Sequence, residues 1–293
     1  MEIHGIIPPL VTPFRPDGSI DEAAHRAEVS FLVEAGVHGL AVCGSTGEGH
    51  ALTVDEARHV TAITVEQARG RVPVIAGIIA DSTQAATERA RAVSDLGVAA
   101  LQITPVHYVF RPDDDSMLRF FAGIAESSGV PVIIYNVVPW SYLLPPLLAR
   151  ILRECAGVIG VKQSASDMKA LADLLLLNEE GAAGEGKRIL SAVDALLYPS
   201  FQLGAHGAVA AILTAAPTWC VALWHAVQAG DHRQALRLHR RLLRLWNAIH
   251  DSNLPANVKT AMSMQGRDGG APRAPMSAST PVQREAIAVA LAD

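Results

Sequence analysis

The sequence predicts a (β/α)₈ barrel over residues 1–230 followed by a C-terminal helical extension over residues 231–293, on three observations. Eight short, almost uninterrupted apolar runs alternate with longer stretches of helical period. The pairs recur at intervals of roughly 25–35 residues, the rhythm of a closed barrel. No Gly-x-Gly-x-x-Gly follows the first run, which disfavours the open doubly wound sheet that is the structural rival.

The elements follow in order. The first strand is expected at 6–12 and its helix at 21–35, the second pair at 39–44 and 54–68, and the third at 72–78 and 83–96. The fourth pair falls at 99–104 and 114–127, the fifth at 130–136 and 144–153, and the sixth at 158–162 and 166–177. The seventh is placed at 188–192 and 195–203, and the eighth at 207–213 and 217–229. Each strand is nearly continuous in apolar residues, as expected for parallel strands covered on both faces. Thr53 with Glu56 has the spacing of a capping box, and Ser82 and Asp113 are plain N-caps. Gly36, Gly97, Gly129 and Gly157 stand where helices end and a left-handed residue is useful. The tail reads as helices at 234–250, 256–264 and 281–291, with a loose Gly/Pro linker, GRDGGAPRAP, before the last.

Composition narrows the function classes. Half of the 293 residues are hydrophobic, enough for a large core, and a net charge of −5 gives no footprint for nucleic acid. Three scattered cysteines outside any Cys-x-x-Cys spacing read as buried thiols of a reducing cytosol. The opening MEIHGIIPPL lacks the basic region and long apolar run of a secretory signal, so a cytoplasmic protein is expected. The uncharged stretch 207–224 holds Pro217 in its middle and reads as a buried strand leading into a core helix, not a membrane span. None of the eleven histidines forms a His-x-His or HExxH pair, and no metal site is expected.

In a barrel, chemistry sits at the C-terminal ends of strands. The second strand ends in Cys43-Gly44-Ser45-Thr46-Gly47-Glu48-Gly49, where hydroxyls and glycine-flanked backbone N–H groups suit an anion equally as well as they suit a tight turn. The fifth ends in Tyr135-Asn136; a tyrosine there can relay a proton or simply pack the rim. The sixth ends in Lys162 after Val158-Ile159-Gly160-Val161, so Lys162 points either into the barrel or into the helix layer. A lysine beside so much apolar surface is costly while charged, and desolvation favours the free amine, a nucleophile toward carbonyls. The alternative is a side chain that snorkels to water. The chain has only four lysines, and Lys169, Lys187 and Lys259 lie in contexts that look solvated, which leaves Lys162 as the one expected buried amine.

Together with Gly5 to Phe14 (GIIPPLVTPF) and Asn257-Val258-Lys259-Thr260-Ala261, these segments resemble the dihydrodipicolinate synthase / N-acetylneuraminate lyase family of pyruvate-dependent class I aldolases over nearly the whole chain. The resemblance implies that Lys162 forms a Schiff base with pyruvate and that Tyr135 donates and accepts the proton. It implies that Thr46, Ser45 and backbone groups of that loop, Gly47 among them, hold the pyruvate carboxylate. Ser45 would join the relay, and the Val209 carbonyl would complete the pocket. No cofactor is implied beyond the covalent imine, and the implied partners are pyruvate, an aldehyde and further copies of the chain, as a dimer or tetramer.

The chain departs from that family in two loops. After Tyr135-Asn136 it reads Val137-Val138-Pro139-Trp140-Ser141-Tyr142, without the arginine that grips the aldehyde's carboxylate in dihydrodipicolinate synthases. Trp140 there suggests a larger or more apolar second substrate. After Thr104-Pro105 it reads Val106-His107-Tyr108, so the tyrosine that completes the relay from a neighbouring subunit corresponds to Tyr108, with His107 second. The segment Gln163-Ser164-Ala165-Ser166-Asp167 is more like the aldolases and hydratase-aldolases. A pyruvate aldolase or lyase is therefore expected. The alternatives are a dihydrodipicolinate synthase using Arg15 or Arg111 as its clamp, and a keto-acid sensor without turnover.

Overall fold

The computed structural model describes residues 2–164 and 167–292. The chain runs through β1 (Gly5–Ile6), α1 (Glu22–Glu34), β2 (Leu40–Val42), α2 (Val54–Ala68), β3 (Val74–Ile78) and α3 (Thr83–Ser94). It continues through β4 (Ala100–Ile103), α4 (Asp114–Ser128), β5 (Val132–Asn136), α5 (Pro145–Glu154), β6 (Val158–Gln163) and α6 (Met168–Glu179). Then come β7 (Arg188–Ser191), α7 (Leu197–Gln202), β8 (Gly207–Ala208), α8 (Ile212–Ala215) and α9 (Pro217–Gln228). The helices α10 (His232–Ile249), α11 (Leu254–Ser263) and α12 (Pro281–Ala292) follow the barrel.

The strands are parallel in the order β1-β8-β7-β6-β5-β4-β3-β2. The two ends meet: His38 N–H donates to Ile6 O, Ala41 N–H to Pro8 O and Leu10 N–H to Ala41 O, at 2.8–3.0 Å, and a parallel bridge joins Pro9 to Ala41. The sheet is thus a closed barrel. The expected first strand shrinks to two residues, because Pro8 and Pro9 have no N–H to donate to a ladder. The eighth is also shorter than expected: Ile212 N–H finds the Asp194 carboxylate at 2.8 Å, and the chain turns into α8 instead of continuing as strand.

Local signals account for the helix ends. Thr53 and Glu56 form the reciprocal capping box, and the side chains of Ser82 and Asp113 accept from Ala85 and Ser116 N–H. Gly36, Gly97 and Gly129 take positive φ, but Gly157 does not. Its lack of a side chain serves packing: a Cβ there would lie 2.7 Å from the Ala125 Cβ. Helix α6 starts at Met168, and residues 165 and 166, part of the expected helix and of the aldolase-like segment, lie outside the described residues.

Alternation decides which side chains face the barrel's inside. Ile7, Ile75, Ile133, Leu190 and Val209 cluster there, while Ile134, Val161 and Ile189 pack against the helices. Tyr135 follows Ile134 and Lys162 follows Val161, so both turn inward, and the two pair in register across β5 and β6.

The C-terminal helices are tied to the barrel by two buried cations. Arg267 reaches Glu28 at 2.9 Å and the carbonyls of Thr214 and Ala215. Lys259 reaches Glu48 at 2.6 Å and the carbonyls of Thr12 and Ala271 at 2.7 Å. Lys259 is therefore not the solvated lysine that its sequence context suggests; its ammonium keeps three acceptors under the barrel's mouth. The uncharged stretch 207–224 becomes β8, α8 and most of α9, and among the described residues no helix is long and apolar enough to cross a membrane.

Candidate active site

Lys162 and Tyr135 meet at the C-terminal end of the barrel. The Lys162 Nζ lies 3.6 Å from the centroid of the Tyr135 ring, and both side chains are buried, 3% and 5% exposed. A cation over a ring face is favourable but far weaker than a carboxylate partner, so the amine is held in place without a fixed salt bridge to break. The Tyr135 hydroxyl donates to Ser45 Oγ at 3.3 Å, which links the amine, the phenol and the loop after β2 in one line.

That loop is braced from behind. Thr12 Oγ1 donates to Gly47 O at 2.7 Å, and a Cβ on Gly47 would lie 2.7 Å from Leu10 O, so the loop presses onto the segment after β1 as only glycine allows. Glu48 sits at φ +54° with its carboxylate between Lys259 Nζ and Arg273 N–H, at 2.6 and 2.8 Å. Burial pulls the Lys259 ammonium below its ordinary value, and the Glu48 charge opposes that pull. Ser45 and Thr46 face a cavity of about 590 Å³, which Lys162, Tyr135 and Val209 also line. Gly47 stands behind it, among the supports of the loop.

A further acid lines this cavity. Asp194 follows β7, and desolvation pushes its carboxyl up to about 6, against the Ile212 N–H and the Lys162 charge, which hold it down. Sequence reasoning missed it, although an aspartate three residues past the seventh strand is in the right place for barrel chemistry. Trp246, His250 and Met276 line the cavity as well, all from the C-terminal helices and their loops. No local motif announces them, because only tertiary packing brings α10 over the barrel mouth.

Other candidates take different places. Asn136 is wholly buried and bonds Leu143 N–H, Leu143 O and Gln163, and Gln163 in turn bonds the Tyr142 hydroxyl, so this group fixes the ends of β5 and β6. Trp140 does not wall the cavity of its own chain. Its indole N–H donates to His107 O at 2.6 Å while the ring is 67% exposed, because the β5–α5 loop leans outward on the β4–α4 loop. Tyr108 is 74% exposed at the tip of that second loop, whose His107 and Tyr108 N–H groups both donate to Asp81. Arg15 pairs with Asp21 and Arg111 with Asp114, and neither lines the cavity. Among the described residues no three His, Cys, Asp or Glu side chains gather to hold a metal ion.

The model of the dihydrodipicolinate synthetase family matches residues 2–293. A 4-hydroxy-tetrahydrodipicolinate synthase of Bradyrhizobium diazoefficiens is 35% identical over 292 residues, covering 99% of this chain and 96% of that one. The crystal structure of dihydrodipicolinate synthase from Aquifex aeolicus superposes with a TM-score of 0.91 at 27% identity, covering 99% of this chain and 97% of that one. YagE, a prophage protein of the dihydrodipicolinic acid synthase family from Escherichia coli K12, solved in complex with pyruvate, gives 0.93 at 25% identity over 100% and 98% of the two chains.

Proposed function

The chain belongs to the dihydrodipicolinate synthetase family, and from that premise we propose that it is a lyase that joins pyruvate to Lys162 as a Schiff base and makes or breaks a carbon–carbon bond to an aldehyde. The observation that carries this reading is the line Lys162–Tyr135–Ser45: a buried amine 3.6 Å over a phenol ring whose hydroxyl meets a serine 3.3 Å away.

The chemistry balances with these groups. The Lys162 amine adds to the C2 carbonyl of pyruvate, and loss of water leaves a protonated imine, with Tyr135 delivering the proton that the departing oxygen needs. The imine draws electrons from C3, which gives up a methyl proton to become an enamine. C3 then attacks the aldehyde carbon, the aldehyde oxygen takes the proton, and water hydrolyses the imine to release a 4-hydroxy-2-keto acid and the free amine. In reverse the same steps cleave that acid. Lys162 supplies the electron sink, so the reaction as written draws on no separate cofactor. Thr46 and Ser45 are the proposed seat of the pyruvate carboxylate, with Val209 closing the inner wall.

A second reading, condensation of pyruvate with aspartate semialdehyde, is favoured by the names of relatives about one-third identical to this chain. It lacks a carboxylate clamp, since Arg15 and Arg111 are engaged elsewhere. We further propose a cytosolic homo-oligomer. Tyr108, Val109 and Phe110 form an exposed apolar loop tip beside exposed Trp140 and Leu144, a patch that a second copy would cover, with Tyr108 reaching the neighbour's site.

The test of the imine reading is deuterium exchange into pyruvate alone. In D₂O the protein should wash out the methyl protons seen by NMR, and Lys162→Ala should not. Absence of exchange with the wild-type chain would contradict enamine formation.

A further inference from the structure

The cavity holds more than pyruvate fills. Its volume is about 590 Å³. The six heavy atoms of pyruvate, at no more than the ~30 Å³ a water molecule takes in the liquid, occupy about a third of such a space. With pyruvate on Lys162, Ser45 and Thr46, the remainder lies toward the C-terminal helices. There the walls are Trp246, His250, Leu254, Pro255 and Met276, with His50 on the facing loop.

These walls have a definite chemistry. The rings of Trp246 and His250 lie 4.8 Å apart, centroid to centroid, tilted by 39°. Trp246 also packs on the hydrophobic core, which fixes the direction of its indole. Leu254, Pro255 and the Met276 thioether add carbon and a polarisable sulfur, surfaces that suit a flat ring. Charge is the second constraint. No arginine lines the cavity among the described residues, and its lysine, Lys162, is consumed as the imine that faces the pyruvate carboxylate. Asp194 adds a negative group beside it. A second substrate carrying its own carboxylate would therefore be desolvated next to an anion, with only imidazoles in place of a bidentate clamp. A polyhydroxylated aldehyde fares little better, because most of the outer wall is carbon and would leave hydroxyls without partners.

We propose that Trp246, His250 and Met276 form the subsite for the second substrate, and that this substrate is a neutral aromatic aldehyde. The inference rests on the imine reading above. The aryl ring stacks on the Trp246–His250 wall and its carbonyl carbon points back to the enamine C3, so the new bond forms between pyruvate C3 and the benzylic carbon.

The test measures kcat/KM with pyruvate and each of benzaldehyde, aspartate semialdehyde, glyceraldehyde and acetaldehyde. Benzaldehyde should exceed both aspartate semialdehyde and glyceraldehyde by about tenfold or more. Trp246→Ala should lower the ratio of benzaldehyde to acetaldehyde by roughly ten- to a hundredfold, the range a hydrophobic wall supplies. Both aldehydes are read on one preparation, so the folded fraction cancels. His250→Ala, at an exposed position, should lower the same ratio and serves if the first variant does not fold. A preference for aspartate semialdehyde or glyceraldehyde overturns the proposal, and so does an unchanged ratio in the variants. If the wild-type chain captures pyruvate on Lys162 under borohydride yet shows no aryl preference, the subsite falls and the imine stands; if it captures none, both fall.

Discussion

Lys259 and Glu48 form an ion pair at 2.6 Å with almost no exposure, 2% and 1% for the two side chains, and it ties the C-terminal helices to the loop that carries Ser45 and Thr46. Burying two charges is worthwhile only when the remaining donors and acceptors are matched. Here the carbonyls of Thr12 and Ala271 accept the other ammonium hydrogens, and Arg273 N–H donates to the second Glu48 oxygen. Removing one partner strands the other.

Lys259→Met should therefore destabilise the protein by about 3–5 kcal/mol, the usual cost of orphaning a buried charge. In the fraction that folds, the loop after β2 loses its brace, so KM for pyruvate should rise more than kcat falls. Denaturant unfolding and steady-state kinetics read the two effects separately. A stable variant with an unchanged KM would show that the pair is not what holds the loop.

Tyr135→Phe removes one oxygen while keeping the ring beneath Lys162. If the hydroxyl moves the proton, turnover should fall by roughly 10²–10⁴-fold. The KM for pyruvate should change far less, because Ser45 and Thr46 stay in place. Equal losses in both constants would mean that Tyr135 only shapes the cavity.

Asp194 gives a pH signature. Its folded carboxyl is raised to about 6 from an ordinary 3.8, chiefly by burial. Between those values the folded chain holds a proton that the unfolded chain has released. This group's favourable contribution is thus complete below pH 3.8 and is lost as pH rises through about 6. Asp194→Asn should then gain stability above pH 6 by at most about 3 kcal/mol, less whatever solvent screens at this partly buried site. The ionised form is the one that supports a cationic imine, so kcat/KM of the wild-type enzyme should fall below about pH 6, and the variant should lose that limb. A wild-type profile flat from pH 5 to 8, with no difference in the variant, would remove Asp194 from the mechanism.

Much of the architecture is legible in the sequence because the strands are mostly apolar on both faces and several of the barrel's helices carry their own caps. Thr53 with Glu56, Ser82 and Asp113 act locally, so their roles follow from spacing alone. The inward turn of Lys162 is half legible: periodicity gives two choices, and only the packing of Val161 against the helix layer resolves them. What the sequence conceals is set by distant partners. Lys259 looks solvated in its helix because its acceptors are Thr12, Glu48 and Ala271, two of them more than 200 positions away. Trp140 looks like a pocket wall because it sits beside Tyr135 in the chain, yet Trp246, from a helix with no motif, is the tryptophan that lines the cavity. Gly157 looks like a cap because it follows a helix, but it serves a close contact with Ala125.

Lys162, inward-facing and held over Tyr135, is the residue proposed to bond to pyruvate. The most direct measurement is to incubate the purified protein with pyruvate and borohydride, digest it and locate the mass added by a reduced pyruvyl group. One modified peptide is expected, carrying the group on Lys162, and none after Lys162→Ala. Modification of Lys259, Lys187 or Lys169 in place of Lys162, or an unmodified protein, would contradict it.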